Sequence, residues 1–349
     1  MFNHRKNIKH KIRRVFGRTL QILGYTSGLM RLTARFQSVE GAIILMYHSV
    51  ADDQLRKFID PANHVPADIF TRQMEFLSQQ RKVVSLGELL VILQQGKSPP
   101  AELVVITFDD GYLDNLTIAA PILDRYELPA TLFLPTSYID RGETQWVDQA
   151  YTAFKFRSKP IFAMGTERAT LFDLDDPGQN WAGYKTVCGE LLKAGAQERQ
   201  ILLTELYDQL QPTAQPPRLT MTWDEVRTLL SRHRCFQIGG HTREHTDLTS
   251  VSEDKAKTEL TTCARRIQDE LGVRPRHFSF CYGRTSEFLR RLTTEAGFEA
   301  ACGGGGLDPV IKAHADVFRL PRVAAPATMR RFDLLTSSAN TGIWRRLGR

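Results

Sequence analysis

The chain has 349 residues, 42% of them hydrophobic, enough apolar material for one large or two small globular domains. Its net charge of +7 is lopsided: the first 40 residues hold nine Lys/Arg against one acid, leaving 37 basic and 38 acidic residues for the remainder. A body without net positive charge or a recognisable binding motif argues against nucleic acid as a partner, and no run reaches the roughly 18 apolar residues that span a bilayer.

Five cysteines, Cys188, Cys235, Cys263, Cys281 and Cys302, form no CxxC pair. An odd number without such a pair fits a reducing compartment better than a disulfide framework, so the expected location is cytoplasmic. A cleaved signal peptide is not expected, because the uncharged stretch "TLQILGYTSGLM" is broken by polar residues and glycine.

Residues 1–40 form a basic arm. Ile8, Ile12, Val15, Phe16, Leu20 and Leu23 recur three and four apart, while Lys6, Lys9, Arg13, Arg14 and Arg18 occupy much of the other side. Two readings fit: a helix lying on an anionic membrane at its inner face through residues 1–38, or a helix docked on its own domain or on a partner.

From residue 41 onward, short apolar runs alternate with helical patterns, which predicts an α/β fold with a largely parallel sheet. The expected strands are "AIILMYH", "LVVITF", "ATLFLP", "FQIGG", "HFSFCY" and "FRLPRVA". Helices are expected near 67–80, 86–95, 113–126, 223–233, 253–271 and 286–296. Three of them show the capping-box spacing: Ser85 with Glu88, Thr222 with Glu225 and Ser250 with Glu253. Residues 146–218, with several aromatics and a long helix expected around 186–210, read as an insertion on the barrel or sheet. "GGGG" at 303–306 lacks the GK[ST] of a phosphate loop and reads as a turn.

Three motifs carry chemistry. "TFDDGY" ends a strand with Asp109 and Asp110. Neighbouring strand residues face opposite sides, so the pair can share a target only where the strand breaks, and Gly111 permits that break. Adjacent carboxylates call for a cation or a shared proton. An isolated DDG is as readily a helix N-cap. "GGHTREH" follows another strand and sets His241 and His245 four apart, a spacing that on one helical turn lets both imidazoles bind one metal ion. "MYHSV" places His48 at the end of the first body strand; taken alone, a structural histidine is the plainer reading. All three lie at C-terminal strand ends, where parallel α/β folds build their sites.

Together with "RPRHFSFCYG" and, more weakly, "TWDEV" and "RLPR", these motifs make the chain resemble the polysaccharide deacetylases of the NodB-like carbohydrate esterase group over most of residues 41–335, with residues 336–349 as a C-terminal tail. The resemblance implies a distorted (β/α) barrel with a helical insertion. It also implies a divalent metal, most often zinc, held by Asp110, His241 and His245. Asp109 would then be the general base and His48 the catalytic acid. A backbone N–H near Tyr282 would assist the oxyanion. Of Arg274, Arg284 and Arg322, the last is favoured to orient Asp109 and, with Tyr282, to face substrate, because "RLPR" reads as a strand ending at the same face. The substrate implied is an N-acetylated amino sugar in a polysaccharide or lipid-linked glycan.

The usual tyrosine and proline of the third motif are replaced by Phe280 and Cys281. That leaves a catalytically inactive glycan-binding protein as the main alternative. "HTREH" also satisfies the H-x-x-E-H pattern of zinc metallopeptidases, which belongs on a regular helix and leaves "TFDDGY" and His48 unused.

Overall fold

A computed structural model describes residues 40–165, 169–304 and 308–337. The basic arm through residue 39 and the tail from residue 338, with the helix expected in the arm, lie outside the described residues.

Among the described residues there are ten strands: β1 (Ala42–Tyr47), β2 (Lys82–Val83), β3 (Leu103–Asp109), β4 (Ala130–Leu134), β5 (Ile161–Met164), β6 (Thr170–Asp173), β7 (Phe236–Gly240), β8 (His277–Ser279), β9 (Ala300–Cys302) and β10 (Arg322–Ala324). Eight form one sheet in the order β10-β1-β3-β4-β7-β8-β9, with β2 added on β3, and every pairing is parallel. A parallel bridge between Cys302 and Leu320, two residues before β10, brings the ends of this sheet together into a nearly closed barrel.

The two faces of each strand separate as a period of two requires. Ala42 and Ile44 join Leu103, Val105, Phe133, Ala300 and Cys302 in an inner apolar cluster. The alternate residues Ile43, Leu45, Tyr47, Val104, Ile106 and Phe108 pack outward against Phe70, Met74, Leu77, Ala120 and Leu123 of the surrounding helices. Burying each such side chain stabilises the fold by about 1.5–3 kcal/mol. A parallel barrel is therefore favoured because both faces of its strands are apolar.

Several sequence expectations change. Both "HFSFCY" and "AIILMYH" stop short as strands, β8 ending at Ser279 and β1 at Tyr47; β8 gives way to a 3-10 turn over Cys281–Gly283. The helix expected at 113–126 begins as a π turn over Asn115–Ala119 before the α-helix Ala120–Arg125. Ser85 and Thr222 form their capping boxes, whereas the helix Glu253–Leu271 is capped by Ser252, and Ser250 belongs to a preceding 3-10 turn.

In the insertion, the single helix expected near 186–210 is two, Pro177–Lys193 and Ala196–Leu210. The backbone turns extended at Ala194 and Gly195, and the buried guanidinium of Arg199 donates to the carbonyls of Leu191 and Ala194 that the break frees. These helices, the helix Trp146–Lys155 and the antiparallel β5–β6 hairpin share an apolar cluster that includes Trp146, Phe154, Phe162, Tyr184, Leu191 and Leu206.

Candidate active site

Strand alternation places most of the site. Asp109 continues the inward face of Leu103 and Val105, His48 that of Ala42 and Ile44, and His241 that of Gly239. A Cβ at Gly239 would lie 2.5 Å from the inner Phe133 ring, so only glycine fits beneath His241. Asp110 lies beyond the end of β3, with φ 72°, and Gly111 follows at 67°. Two successive left-handed residues break the strand and return the second carboxylate to the side of the first. A Cβ on Gly111 would meet Ile139 at 2.7 Å and Leu134 at 2.8 Å.

His241 and His245 do not share a helical turn. The segment after β7 is irregular, with Thr242 at φ 62° and His245 at 52°, and it is held by buried Glu259, whose Oε2 accepts the Arg243 and Glu244 amides at 2.9 Å each. Of the eight non-glycine residues with positive φ among the described residues, Asp110, Thr242, His245 and Tyr282 all sit in this one region. Sparse backbone conformations concentrated there are characteristic of a functional site.

The side chains line a cavity of about 390 Å³ that includes His48, Asn63, Asp109, Asp110, Gln145, Trp146, His241, His245, Tyr282 and Arg322. His241 Nδ1 lies 2.7 Å from the Ser279 carbonyl, which can only accept, so the proton is on Nδ1 and the Nε2 lone pair is free. His245 Nδ1 is 3.0 Å from the Tyr282 hydroxyl, which itself lies 3.5 Å from the His245 carbonyl. Both Nε2 atoms then face Asp110 Oδ1, at 3.6 Å from His241 and 3.2 Å from His245. That buried oxygen has no hydrogen bond. Ligands about 2.0–2.1 Å from a tetrahedral ion stand about 3.3 Å apart, and the two oxygen-to-nitrogen separations here are close to that spacing.

The charge balance points the same way. Burial raises the Asp110 carboxyl, but the His245 imidazole beside it, with His48 and His241, pulls it well below the usual range. Burial lowers His245, yet the Cys281 sulfur, Tyr282 and Asp110 carry it well above its ordinary value, and His241 is also raised. The pocket thus draws in positive charge, as protons or as a metal ion.

Cys281 can also join the two histidines in a three-donor group whose atoms lie within 4.8 Å of one another. Its sulfur sits 3.9 Å from His241 Nδ1, on the side already engaged by Ser279, so Asp110 is the group that faces both free nitrogens. The neighbouring Phe280 points outward into the cluster of Phe278, Leu289 and Phe298.

Arg322 starts β10 instead of ending a strand, level with Ile44, and its long side chain runs along the barrel interior to the mouth. It donates to both oxygens of Asp109, at 2.7 and 2.5 Å, and to Ser279 Oγ at 2.6 Å. Burial works to raise Asp109, but the Arg322 charge and hydrogen bonds, with His241, leave it below the usual carboxylate value. Arg274 instead binds the Ala296 carbonyl and Arg284 pairs with Asp247. Burial holds His48 below its ordinary value, against the opposing charges of Asp110 and Asp109. Glu244 of the H-x-x-E-H pattern pairs with Arg141 at 3.2 Å and is not among the residues lining the cavity.

Sequence reading missed the residues that fix His48. Asn115 Nδ2 donates to the His48 carbonyl at 2.8 Å, and Asp114 accepts from Ser49 Oγ at 2.5 Å and from the Val50 amide at 3.0 Å. Three consecutive residues of the loop after β1 are thereby tied to the loop after "TFDDGY". A signal existed in "DGYLDN", where a polar pair follows Asp110 by four and five residues. Gln145, whose buried Nε2 lacks a partner, and Asn63 were likewise not singled out.

Residues 96–301 match the family model for polysaccharide deacetylase. The Bacillus subtilis (strain 168) protein YxkH is 36% identical over 92 residues, which are 26% of this chain and 30% of that relative's length. Among solved structures, the Streptococcus pyogenes deacetylase PplD in complex with acetate is similar with a TM-score of 0.56 at 16% identity, over 85% of this chain and 98% of its own. IcaB from Ammonifex degensii gives 0.54 at 15% identity, over 86% and 98%. Both share the fold.

Proposed function

Because this chain belongs to the polysaccharide deacetylase family, we propose that it hydrolyses the N-acetyl amide of an amino sugar within a polysaccharide or lipid-linked glycan, with a divalent metal, zinc, held by Asp110, His241 and His245. The observation that carries this reading is the unpartnered Asp110 Oδ1 facing the free nitrogens of both imidazoles.

When bound, the ion supplies a Lewis acid for the acetyl carbonyl and lowers the pKa of water in the site. Asp109, kept ionised by Arg322, accepts the proton of the attacking water. His48 then donates a proton to the nitrogen as the amine departs, the assistance a poor leaving group requires. The Tyr282 backbone N–H is the oxyanion donor of this scheme. Asp109 and His48 thus divide base and acid work between two environments.

We assign residues 41–335 to the catalytic barrel, with 146–218 inserted in it. The membrane reading of residues 1–38 rests on their charge and periodicity. Among the described residues no helix is long and apolar enough to cross a membrane. Replacing Lys6, Lys9, Arg13, Arg14 and Arg18 with Gln should abolish binding to phosphatidylglycerol vesicles, and unchanged binding would remove that role.

Acetate release and mass change on incubating zinc-loaded protein with β-1,4- and β-1,6-linked N-acetylglucosamine oligomers test the activity. Loss of 42 Da per acetyl group, about the mass of ketene, is the expected signature. Oligosaccharide binding without any release would favour the inactive glycan-binding alternative.

A further inference from the structure

Beside the catalytic cavity lies a second one, of about 430 Å³, between the insertion helices Trp146–Lys155 and Pro177–Lys193 and the turn at Asp60. Its wall is aromatic. Tyr151 and Tyr184 meet edge to face at 6.2 Å, and the Trp181 indole lies over Tyr184 at 5.7 Å, tilted by 35°. Trp181 is 60% exposed, an unfavourable position for the largest apolar side chain unless something covers it. Polar groups stand at the rim: Lys155, whose ammonium sits 5.2 Å from the Tyr151 ring centre, Asn180 and Asp60.

The two cavities are built on the same elements. One helix supplies Trp146 to the catalytic cavity and Tyr151 and Lys155 to this one, about 8–14 Å further along at 1.5 Å per residue. One turn does the same, Asp60 lining this cavity and Asn63, whose amide bonds the Asp60 carbonyl at 2.8 Å, lining the other. Asp148 joins them again, accepting the Asp60 amide at 2.8 Å and the Tyr112 hydroxyl at 2.6 Å next to the aspartate pair.

We propose that this aromatic cavity is a distal glycan subsite, which holds sugar units flanking the one whose amide is cleaved. A pyranose presents an apolar C–H face and a hydroxyl edge, which match exposed aromatic faces with amide, ammonium and carboxylate groups at their border. An acyl or prenyl chain would desolvate the Lys155 ammonium, whose contacts are the Tyr151 and Phe156 rings, and offer it no hydroxyl in return. The inference rests on the deacetylase reading of the neighbouring site, and it makes the enzyme selective for chain length.

The test uses the full chain and N-acetylglucosamine oligomers of one, two, four and six units. Trp181→Ala, at an exposed position, should raise KM for the tetramer and hexamer at least about fivefold, leave kcat unchanged and spare the monomer and dimer. Calorimetry on Asp109→Asn protein, with and without Trp181→Ala, should show the same loss of hexamer affinity. Equal effects at all lengths, or none on the hexamer, would overturn the subsite. So would vesicle binding that depends on Trp181 alongside unaltered oligosaccharide binding. If wild-type protein releases no acetate, the deacetylase reading fails by itself. Calorimetry then decides the subsite: Trp181-dependent hexamer binding retains it, and absence of hexamer binding removes it.

Discussion

Arg322 and Asp109, 213 positions apart in the chain, meet as a buried two-point pair, Nη1 to Oδ1 at 2.7 Å and Nη2 to Oδ2 at 2.5 Å. Arg322→Gln removes the charge that holds the Asp109 carboxyl low. If Asp109 must be ionised to act, activity is lost as pH falls through its pKa, and raising that pKa moves the acid limb of the kcat/KM profile to higher pH. The expected turnover loss is about 10²-fold. Arg322→Lys should recover little, because an ammonium cannot reproduce the two-point grip. A pH profile of unchanged shape in Arg322→Gln would separate Arg322 from Asp109 function. Destabilisation of about 3–5 kcal/mol is expected from breaking a buried pair, so folding is checked by thermal melts.

The clamp on the loop carrying His48 gives a second expectation. Asn115→Ala frees the His48 carbonyl and should lower kcat about tenfold on an amide substrate, since small misplacement of a proton donor is costly. On an ester with a good leaving group the defect should shrink, as it should for His48→Ala. Bound metal should not change. A defect of equal size on both substrates would assign Asn115 a general structural role instead.

A third expectation concerns stability and lies away from the site. His277 on β8 is buried, its Nε2 has no partner, and burial first, then the Arg276 charge, pushes its pKa down to about 4. A folded-state pKa below the unfolded value near 6.5 makes a contribution that is present above pH 6.5 and lost as pH falls toward 4. The loss amounts to about 3 kcal/mol. Urea unfolding of wild type and His277→Gln across this window should show the flatter dependence in the variant. Parallel curves would mean that His277 does not drive it.

Much of the barrel was legible because apolar strand runs such as "LVVITF" are unmistakable when both faces are buried. Position at the strand ends then brought His48, Asp110 and the histidine pair into one region. What escaped depends on long-range packing. β9 is three residues long, too short for a periodic signal. Two insertion helices look like one until the Arg199 contacts at the break are known. "HTREH" carries helical spacing yet is folded by Glu259 into left-handed turns. "RLPR" pointed to Arg322 among three arginines, and Arg322 does grip Asp109, but it starts β10 instead of ending a strand, a register that the local pattern does not encode.

The measurement that tests the account most directly is bound zinc, by elemental analysis, together with kcat in Asp109→Asn and Asp110→Asn. Asp110→Asn should lose metal and activity together, because a charged oxygen ligand becomes a weaker neutral one. Asp109→Asn should keep the metal and lose turnover by about 10²- to 10⁴-fold. Metal lost from Asp109→Asn but kept by Asp110→Asn would reverse the two roles, and normal turnover in both would contradict the proposed site.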